Sequence, residues 1–516
     1  MDRTVRHIVI VGGGTAGWLT AGVIAAEHRA DRPDGLRVSV VESPDVPIIG
    51  VGEGTWPTIR DTLHRIGVSE SDFIRDCDAS FKQGSRFDRW VDGSDGDRYF
   101  HPFSLPEGHG DVDIAAAWRA LAPQVPFAEF VCAQPHLCLH GLAPKQATTP
   151  EFAAVANYAY HLDAGKFAVF LRRHCAERLG VQHVADHVVD VDMHENGDIA
   201  ALQLRAQGRR DGDLFVDCSG FQAMLIGQRL GVPSTPLRDV LFNDRALAVQ
   251  VPYARDDAPI ASQTISTAQP HGWVWDIGLP TRRGIGYVYA SAHVDDATAA
   301  DALHEYLART SPGVEIPSFR QLAFDPGWRE RPWVRNCVAI GLSSGFIEPL
   351  EASAIAMVEL SAAALADRLP ATRDDMDRLA PRFNAAFAHR WRRVIDFLKL
   401  HYVLSRREGD YWRAHRDASS IPESLAGLLA TWAHHPPSRY DLDRVDEVFP
   451  SASWQYILYG MGFVSAPPTH PTRFADTERA AALLRDAAPR ARRMLGALPA
   501  HRDLLDHIAR HGLPRI

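Results

Sequence analysis

The sequence predicts an α/β fold that begins with a parallel sheet and ends in a helical region. The first observation is a βαβ pattern: an apolar run over His7–Val11, an Ala-rich helix to about Glu27, and a second strand over 36–41. The second observation is a set of further strand patterns over 214–220, 246–251, 274–279, 284–290 and 337–342. The third is a change to helices with polar faces, over 373–403, 421–434, 451–461, 474–489 and 499–510.

The turn after the first strand has the glycine spacing of a dinucleotide-binding loop. Its glycines form G-x-G-x-x-G, and an acid ends the second strand. The first glycine permits a tight turn, the second lets a pyrophosphate approach the backbone, and the third lets helix and strand pack closely. The helix N-terminus faces the phosphates, and the acid can accept hydrogen bonds from a ribose. Cofactor contacts are therefore predicted at Gly12, Gly14, Thr15, Ala16, Gly17 and Glu42.

A second glycine cluster follows the βαβ unit and reads Gly50-Val-Gly52-Glu53-Gly54-Thr55. Three glycines so close to a nucleotide fold indicate backbone packed against a cofactor ring, although a plain loop would also fit. Cofactor contacts are therefore predicted at Gly50, Gly52 and Glu53. Together with the later strands, these segments favour one α/β region over 1–370 and a helical region over 371–516 packed on it as a wall or lid.

Composition limits the location and the partners of the chain. The 516 residues carry a net charge of −9, which disfavours nucleic acid or an anionic membrane as the main partner. No run approaches 18 apolar residues, and the first residues lead directly into a strand, so neither a membrane span nor a signal peptide is expected. Six scattered cysteines fit reduced thiols in a cytoplasmic protein. The sequence leaves a homodimer open.

One His/Cys-rich segment invites comparison with a zinc site. Cys132, His136, Cys138 and His140 lie within nine residues. Structural zinc sites usually pair two separated ligand couples, so a strand or loop without metal is the favoured interpretation.

Five motifs in order along nearly the whole chain resemble the tryptophan halogenase family of flavin-dependent halogenases. They are GGGTAGW at 12–18, GVGEGTWP at 50–57, Phe81-Lys82, W-x-W-x-I at 273–277, and Pro-Leu-Glu at 349–351. The W-x-W-x-I motif is specific, whereas many flavoproteins share the glycine loop. The resemblance implies an FAD-binding Rossmann-like fold of the glutathione-reductase/monooxygenase type, with a β-sheet substrate part and the helical C-terminal region.

The resemblance also implies a reaction. Reduced flavin (FADH2) reacts with O2 to a flavin hydroperoxide, which chloride or bromide attacks to give hypohalous acid. Halide would be held by the backbone amides of Ser353 and Ala354 at a helix start. A plain N-cap role for Ser353 is the alternative, and the two roles are compatible. Leu342, the last residue of the 337–342 strand, is counted among the cofactor contacts. No second nucleotide segment is evident, so a separate flavin reductase is expected to supply FADH2.

Two residues are expected to carry the halogenation step. Lys82 matches the family's lysine, which hydrogen-bonds hypohalous acid or forms a haloamine. Glu351 matches the carboxylate that polarises the oxidant or removes the ring proton, and charge pairing with Lys82 would keep it ionised. Glu348 is the nearby acid that the spacing from Pro349-Leu350 disfavours. A surface lysine and a structural salt bridge are the alternatives for the two residues.

Aromatic residues complete the implied site. Trp273 and Trp275 are expected to separate flavin from substrate, although two core tryptophans on one strand face fit the same spacing. His101, Phe103 and Trp454 match positions that sandwich an aromatic substrate, with ordinary core aromatics as the alternative. No metal is expected.

The substrate is less defined than the reaction. The stretch 438–454 contains no recognisable clamp for an amino-acid carboxylate, and residue 352 is alanine where many relatives carry serine. Indole or an indole derivative is therefore favoured, with tryptophan and other electron-rich aromatics left open. An aromatic flavin monooxygenase (a hydroxylase) is the alternative function, but its usual Gly-Asp flavin motif does not occur in Gly341–Gly345.

Overall fold

The structure is a computed structural model and describes residues 4–46, 52–466, 469–470, 472 and 474–515. The strands are β1 His7–Val11, β2 Arg37–Glu42, β3 Glu53–Gly54, β4 Ser80–Lys82, β5 Gly84–Asp88, β6 Arg98–Pro102, β7 Ala159–Leu162, β8 Gln182–Ala185, β9 Val188–Met193, β10 Ile199–Leu204, β11 Gly208–Asp211, β12 Leu214–Asp217, β13 Thr235–Pro236, β14 Arg245–Pro252, β15 Thr264–Gln269, β16 Gly272–Gly278, β17 Arg282–Tyr289, β18 Arg320–Ala323, β19 Gly327–Trp328, β20 Trp333–Val334, β21 Cys337–Ala339 and β22 Gly345–Phe346.

The helices alternate with the strands in the first part of the chain and dominate its end. They are α1 Thr15–Glu27, α2 Thr58–Arg65, α3 Glu70–Asp76, α4 Ile114–Leu121, α5 Phe127–Val131, α6 Gln134–Leu139, α7 Ala164–Arg178, α8 Asp296–Thr310, α9 Ser353–Asp367, α10 Arg373–Val403, α11 Asp410–His415, α12 Glu423–Trp432, α13 Ser451–Gly460, α14 Thr477–Ala497 and α15 His501–His511.

The first sheet confirms the predicted βαβ unit and the α/β class. Its strand order is β20-β21-β12-β1-β2-β8, and all its pairings are parallel except that of β20 with β21. The fully buried HIVIV run of β1 lies near its centre, as a continuous apolar run predicts. The glycine loop and the segments after β12 and β21 therefore lie at the carboxyl edge of neighbouring strands, where doubly wound sheets bind ligands.

A second sheet of seven strands has the order β18-β14-β17-β16-β15-β5-β6. The strands predicted over 246–251, 274–279 and 284–290 are β14, β16 and β17 of this sheet. A small sheet of order β3-β7-β4 lies beside it and carries Lys82 at its edge. Residues 158–179 have the pattern of an amphipathic helix that begins near 162–163. In the structure, Ala159–Leu162 form strand β7, and the helix begins at Ala164 after an Asp163 cap.

The C-terminal helices share one hydrophobic core with the α/β region. Phe397 and Leu398 of α10 belong to the same buried cluster as Trp18 of α1 and Trp273 of β16. All five predicted C-terminal helices are present, although α14 begins at Thr477 and continues to Ala497, beyond the predicted 474–489. Tertiary burial along the 31-residue α10 explains its length, since its apolar face is covered over many turns.

The His/Cys-rich segment forms the short helix α6 and neighbouring turns, which differs from the expected strand or loop. His136 contacts the Glu129 carbonyl, and His140 contacts the carbonyl of His136. Across the described ranges, no cluster of three or more His, Cys, Asp or Glu side chains is arranged to bind a metal ion. None of the helices in the described ranges is long and apolar enough to span a bilayer.

Candidate active site

The glycine loop has the geometry of a phosphate-binding turn. Gly12 has φ +115°, and a Cβ there would lie 2.1 Å from the Cys218 carbonyl oxygen. A Cβ on Gly17 would lie 1.8 Å from the Gly12 oxygen, so both positions require glycine for packing. Gly14 has no atom within 4 Å of its Cβ position, which leaves an open approach to the start of α1. The loop therefore fits the pyrophosphate of a dinucleotide, with Thr15 and Ala16 in the first turn of the helix.

Glu42 lies beside this loop at the end of β2. A Cβ on Gly13 would lie 2.2 Å from the Glu42 side chain, so the carboxylate lies close to the turn. His183 Nε2 is 2.9 Å and Arg172 Nη1 3.6 Å from its two oxygens. The acid predicted to bind a ribose therefore lies next to the loop, but it already has two basic neighbours.

Of the second glycine cluster, Gly50 lies outside the described residues. Gly52 has φ +102° and approaches Gly284 of β17 at 3.7 Å from its Cβ position. Burial, with a smaller effect of Asp163, raises the pKa of Glu53 to about 7. An acid that is half protonated at neutral pH can donate a hydrogen bond as well as accept one, which suits a contact with a heterocyclic ring.

A cavity of about 440 Å³ lies beside the segments that follow β12 and β21. Leu342, Phe221, Phe346 and Arg329 are among its lining residues. Gly341, which precedes Leu342, has φ +79° and would clash with Ala16 if it carried a Cβ. Aromatic, apolar and cationic walls next to the glycine loop fit an anionic, partly aromatic cofactor such as FAD.

Helix α9 begins with an open N-terminus. Its N-cap is Ala352, with no side-chain cap, and Ser353 is the first helical residue. The alternative role of Ser353 as a plain N-cap is therefore wrong. Ala354 is exposed. The first amides of a helix have no partner within it and lie at the positive end of its dipole, so they can bind an anion such as a halide.

Two left-handed residues lead into this helix. Glu351 has φ 61° and Ala352 has φ 54°, in the region that favours glycine. Each costs roughly 1–2 kcal/mol in a non-glycine residue. Trp56 Nε1 donates to the Glu351 carbonyl at 2.7 Å, which helps to hold the turn. Such strain is found where the surrounding structure fixes a functional side chain, and here it places Glu351 beside the start of α9.

Helix α9 also carries a buried acid, Glu359, whose pKa yields a stability prediction. Burial raises this pKa to about 8, although Thr62 donates to the carboxylate at 2.6 Å. Since the folded-state pKa exceeds the ordinary value of 4.5, ionisation destabilises the fold increasingly as pH rises from about 4.5 towards 8. Glu359→Gln cannot ionise, and its amide can still pair with the threonine hydroxyls. We expect this variant to raise the Tm of the flavin-free protein by about 2 °C or more at pH 8.5.

At pH 5 the wild type is largely protonated at Glu359, so the two proteins should melt within about 1 °C of each other. Calorimetric melts of both proteins at the two pH values make the test. An equal change in Tm at both pH values would contradict the raised pKa.

Lys82 is fully enclosed at the end of β4, which is the opposite of a surface lysine. Its exposed fraction is 1%, and burial lowers its pKa to about 8 against the raising effect of Glu351. Lys82 Nζ lies 5.5 Å from the centre of the Phe103 ring. A Cβ on Gly54 would lie 3.1 Å from this nitrogen and 3.4 Å from the Ala352 Cβ. Lys82 therefore meets the loop that starts α9, next to the predicted halide amides.

Glu351 points into a buried network of two histidines. His101 Nδ1 lies 2.8 Å and His401 Nε2 3.4 Å from Glu351 Oε1. Ser453 Oγ contacts His101 Nε2 at 2.9 Å, and the Tyr99 hydroxyl contacts His401 Nδ1 at 2.7 Å. Burial alone would raise the pKa of Glu351, but the two histidines outweigh it and hold that pKa well below its usual range.

The ionised state of Glu351, which was expected from charge pairing with Lys82, has a different main cause in the structure. His101 and His401, rather than Lys82, are the main groups that favour its carboxylate form. Both histidines contact Oε1, so Oε2 is the oxygen left to face a reacting group. His101, predicted as an aromatic wall, has both ring nitrogens occupied and offers only its faces for stacking.

Aromatic side chains pack beside His101, whose ring centre lies 5.6 Å from that of Phe397. Phe397 stacks on Phe449 with ring centres 3.7 Å apart, and Trp56 meets Phe449 edge-on at 4.9 Å. Trp454 packs edge-on against Phe397 at 4.9 Å and donates from Nε1 to the Phe449 carbonyl. Trp454 is only 1% exposed, so in this structure it supports Phe397 and Phe449 as a buried neighbour. Phe103 is half-buried and faces Lys82.

Trp273 and Trp275 project from the same face of β16, as the spacing predicts. Their ring centres are 6.4 Å apart, and they are 1% and 6% exposed. The Trp275 ring covers Gly286 so closely that a Cβ there would lie 2.2 Å from it. Glu348 is engaged elsewhere, because Tyr402 donates to it at 2.6 Å and Asn243 also contacts it. The structure thus brings Glu351, and not Glu348, to Lys82.

Several residues of this site were not predicted from the sequence. They are Gly54, Trp56, Tyr99, Phe397, His401, Phe449 and Ser453. Trp56 and Gly54 lie within the GVGEGTWP motif, so the motif itself was a usable signal. Phe397 and His401 are four residues apart on α10 and share one helix face, but no local pattern links that face to Glu351.

A nucleotide-binding loop together with an enclosed lysine and glutamate fits the class of flavin-dependent halogenases that the sequence motifs resemble. Comparison with known proteins agrees. The tryptophan halogenase family profile matches residues 7–477. The 7-chloro-L-tryptophan 6-halogenase KtzR of Kutzneria sp. (strain 744) is 32% identical over 520 residues, which cover 96% of this chain and 98% of that protein. The chain belongs to the tryptophan halogenase family.

Two solved structures support the same assignment across the full length. A tryptophan halogenase from Shewanella frigidimarina has a TM-score of 0.96 and 48% identity, covering 100% of both chains. Xcc4156, a flavin-dependent halogenase from Xanthomonas campestris, has a TM-score of 0.87 and 32% identity, covering 100% of this chain and 99% of that one. This chain is therefore an enzyme, a flavin-dependent halogenase that uses FADH2, O2 and a halide, and the hydroxylase alternative is disfavoured.

Proposed function

We propose that this halogenase binds indole or an indole derivative in an enclosed substrate chamber, whose walls would be Lys82, Glu351 and the aromatic residues around Phe397. The observation that carries the proposal is that Lys82 and Glu351 are both buried and interact electrostatically, with Phe103 beside Lys82 and Phe397 beside the His101 partner of Glu351. An electron-rich ring can stack on such walls, while the charged pair acts on one of its atoms.

Bound FADH2 supplies, with O2 and halide, the hypohalous acid that the chamber uses. Gly12, Gly14, Thr15, Ala16, Gly17, Glu42, Gly52, Glu53 and Leu342 would hold the cofactor, and Gly50 is kept as a contact from the sequence alone. The amides of Ser353 and Ala354 would hold the halide at the start of α9. Trp273 and Trp275 would keep the substrate from the flavin.

Within the chamber, Lys82 would hold the oxidant against the ring and Glu351 would accept the displaced ring proton at Oε2. His101 and His401 orient Oε1 and keep the carboxylate ionised, so it is ready to act as a base at neutral pH. The halogen replaces a ring hydrogen, and the hydroxide released from hypohalous acid combines with that proton as water. His101, Phe103 and Trp454 would form or support the walls of the substrate pocket.

The acids of the 438–449 segment favour indole over tryptophan. Asp443, Asp446 and Glu447 pair with Arg393, Arg390 and His389 of α10 at 3.2, 2.6 and 2.7 Å. The Trp432 indole nitrogen donates to Asp441. These carboxylates are engaged, so they are poorly placed to grip the ammonium group of an amino acid. The support for indole is the combination of these pairs with the absence of a recognisable carboxylate clamp in the sequence.

The remaining assignments are also proposals. A separate reductase would supply FADH2 by diffusion or transient contact. Six buried, unpaired cysteines favour a reducing, cytoplasmic location. The division into 1–370 and 371–516 describes two regions on one shared core.

A product assay by mass spectrometry tests the substrate. The purified protein is supplied with FAD, a flavin reductase and NADH, with indole or tryptophan, and with bromide or chloride in separate reactions. We expect a halogen isotope pattern on indole and a much weaker one on tryptophan. Reactions without halide, or without the protein, serve as controls.

Efficient halogenation of tryptophan would show that an amino-acid clamp exists and would overturn the indole preference. An oxygen adduct that forms without halide would overturn the halogenation itself.

A further inference from the structure

The strand that carries Lys82 lies at the edge of its sheet. Among the described residues, strand β4 pairs with β7 alone in the order β3-β7-β4, through Ser80 with His161 and Lys82 with Ala159. Backbone N–H groups on the free side of an edge strand need other partners when they are buried. The buried position of Ser80–Lys82 makes this requirement strict.

An imidazole from the C-terminal helix satisfies one of these groups. His501, the first residue of α15, accepts a hydrogen bond at Nε2 from the Phe81 N–H at 3.0 Å. Its Nδ1 lies 3.1 Å from the Ile260 carbonyl, to which it donates. The ring is 1% exposed, and burial lowers its pKa to about 4, so it stays neutral and can accept at Nε2 at physiological pH.

His501 links β4 to the 258–263 segment, because its ring bridges the Phe81 N–H and the Ile260 carbonyl. Arg502 strengthens the same attachment by donating to the Ala258 carbonyl. The other anchors of β4 come from elsewhere: Ser80 donates to the Gly278 carbonyl, and the Gln83 N–H donates to the Ser262 carbonyl at 2.7 Å. The bond from His501 is made to the backbone N–H of Phe81, the residue directly before Lys82.

We propose that His501 is a positioning residue for Lys82. By accepting the hydrogen bond from Phe81, it fixes the position of strand β4, and so of Lys82, relative to Glu351 and the start of α9. It touches neither substrate nor cofactor and acts through the Phe81 peptide. The inference rests on the proposed role of Lys82 in delivering the oxidant. A displacement of about 1 Å in a reacting group can cost on the order of 10²-fold in rate, so one such bond is enough to matter.

A graded set of variants tests the proposal in the full-length, FAD-loaded enzyme. The amide of His501→Gln reaches the Nε2 position and can accept from Phe81, whereas that of His501→Asn reaches only the Nδ1 position, near Ile260. His501→Ala makes neither bond. His507→Gln, on the same helix, is the matched control, because its ring contacts His511 instead.

The measurements are halogenated product per FADH2 consumed, free hypohalous acid caught by a chemical trap, FAD affinity and Tm. We expect His501→Gln and His507→Gln to keep most of the coupling, which is the halogenated product formed per FADH2 consumed. His501→Asn and His501→Ala should lose product by about 10-fold to 10²-fold while releasing more free hypohalous acid. A purely structural role would lower Tm and FAD affinity without shifting oxidant into the trap.

Normal coupling in both His501→Asn and His501→Ala, beside an inactive Lys82→Ala, would overturn the positioning role and leave the proposed function intact. Equal loss in the Gln and Asn variants would also overturn it, since only Gln can restore the bond to Phe81. Normal halogenation by Lys82→Ala would instead refute the proposed function.

Discussion

Replacement of Lys82 by alanine is expected to lower halogenated product by at least about 10³-fold while FAD still binds. The side chain is buried beside Glu351 and Phe103, and its amine lies at the loop that starts α9. Without it, hypohalous acid has no group to hold it against the ring. The measurement is product by mass spectrometry, together with FAD affinity by fluorescence quenching.

The trap for free hypohalous acid separates loss of delivery from loss of oxidant. In Lys82→Ala we expect oxidant to form and escape into solution. Lys166→Ala removes an exposed lysine that is 3.8 Å from Asp78 and should behave as wild type. Normal product from Lys82→Ala, or loss of both product and trapped oxidant, would contradict the delivery role.

Replacement of Glu351 by glutamine is expected to lower kcat by on the order of 10²-fold, because an amide cannot accept the ring proton. The substitution preserves shape, and His101 can still donate to the amide oxygen. Since the histidines hold the pKa of Glu351 well below its usual range, protonation of this acid should not limit the wild-type rate between pH 5 and 8. The measurement is kcat against pH with FADH2 supplied in excess.

Glu348→Gln is the comparison that identifies the acid. Glu348 lies three residues away and bonds Tyr402 and Asn243 rather than facing Lys82. We expect a much smaller loss in this variant. If Glu348→Gln proves as damaging as Glu351→Gln, the assignment of the base to Glu351 is unsupported.

The sequence predicted the first sheet well because its signals are local. The apolar β1, the glycine turn and the acid after β2 follow one another within 36 residues, and each has a direct structural reason. The family motifs likewise placed Lys82 and Glu351 in one site, although 269 positions separate them in the chain numbering. In the structure, Lys82 and Ala352, the residue after Glu351, both lie against Gly54, and Glu351 interacts electrostatically with Lys82. The motifs therefore carry tertiary information that periodicity alone does not.

The partners of these residues could not be predicted in the same way. His401 lies inside a long helix pattern, where a histidine on an apolar face is usually a core residue. His501 contacts a strand that precedes it by 420 positions. The role of His101 was predicted from its ring, whereas its two nitrogens decide its contacts with Glu351 and Ser453. Hydrogen bonds between distant segments leave no period in the sequence.

The spacing of Phe397 and His401 on α10 has a consequence for changing the substrate range. The two rings lie 5.7 Å apart on one helix face; Phe397 belongs to the proposed substrate chamber, and His401 contacts Glu351. A substitution that enlarges the chamber at Phe397 therefore also removes a neighbour that holds His401 in place, so selectivity and turnover would change together. Phe103, from a different segment, offers a place to reshape the chamber with less effect on the base. Variant libraries aimed at new aromatic substrates should therefore begin at Phe103 and leave Phe397 and His401 of α10 unchanged.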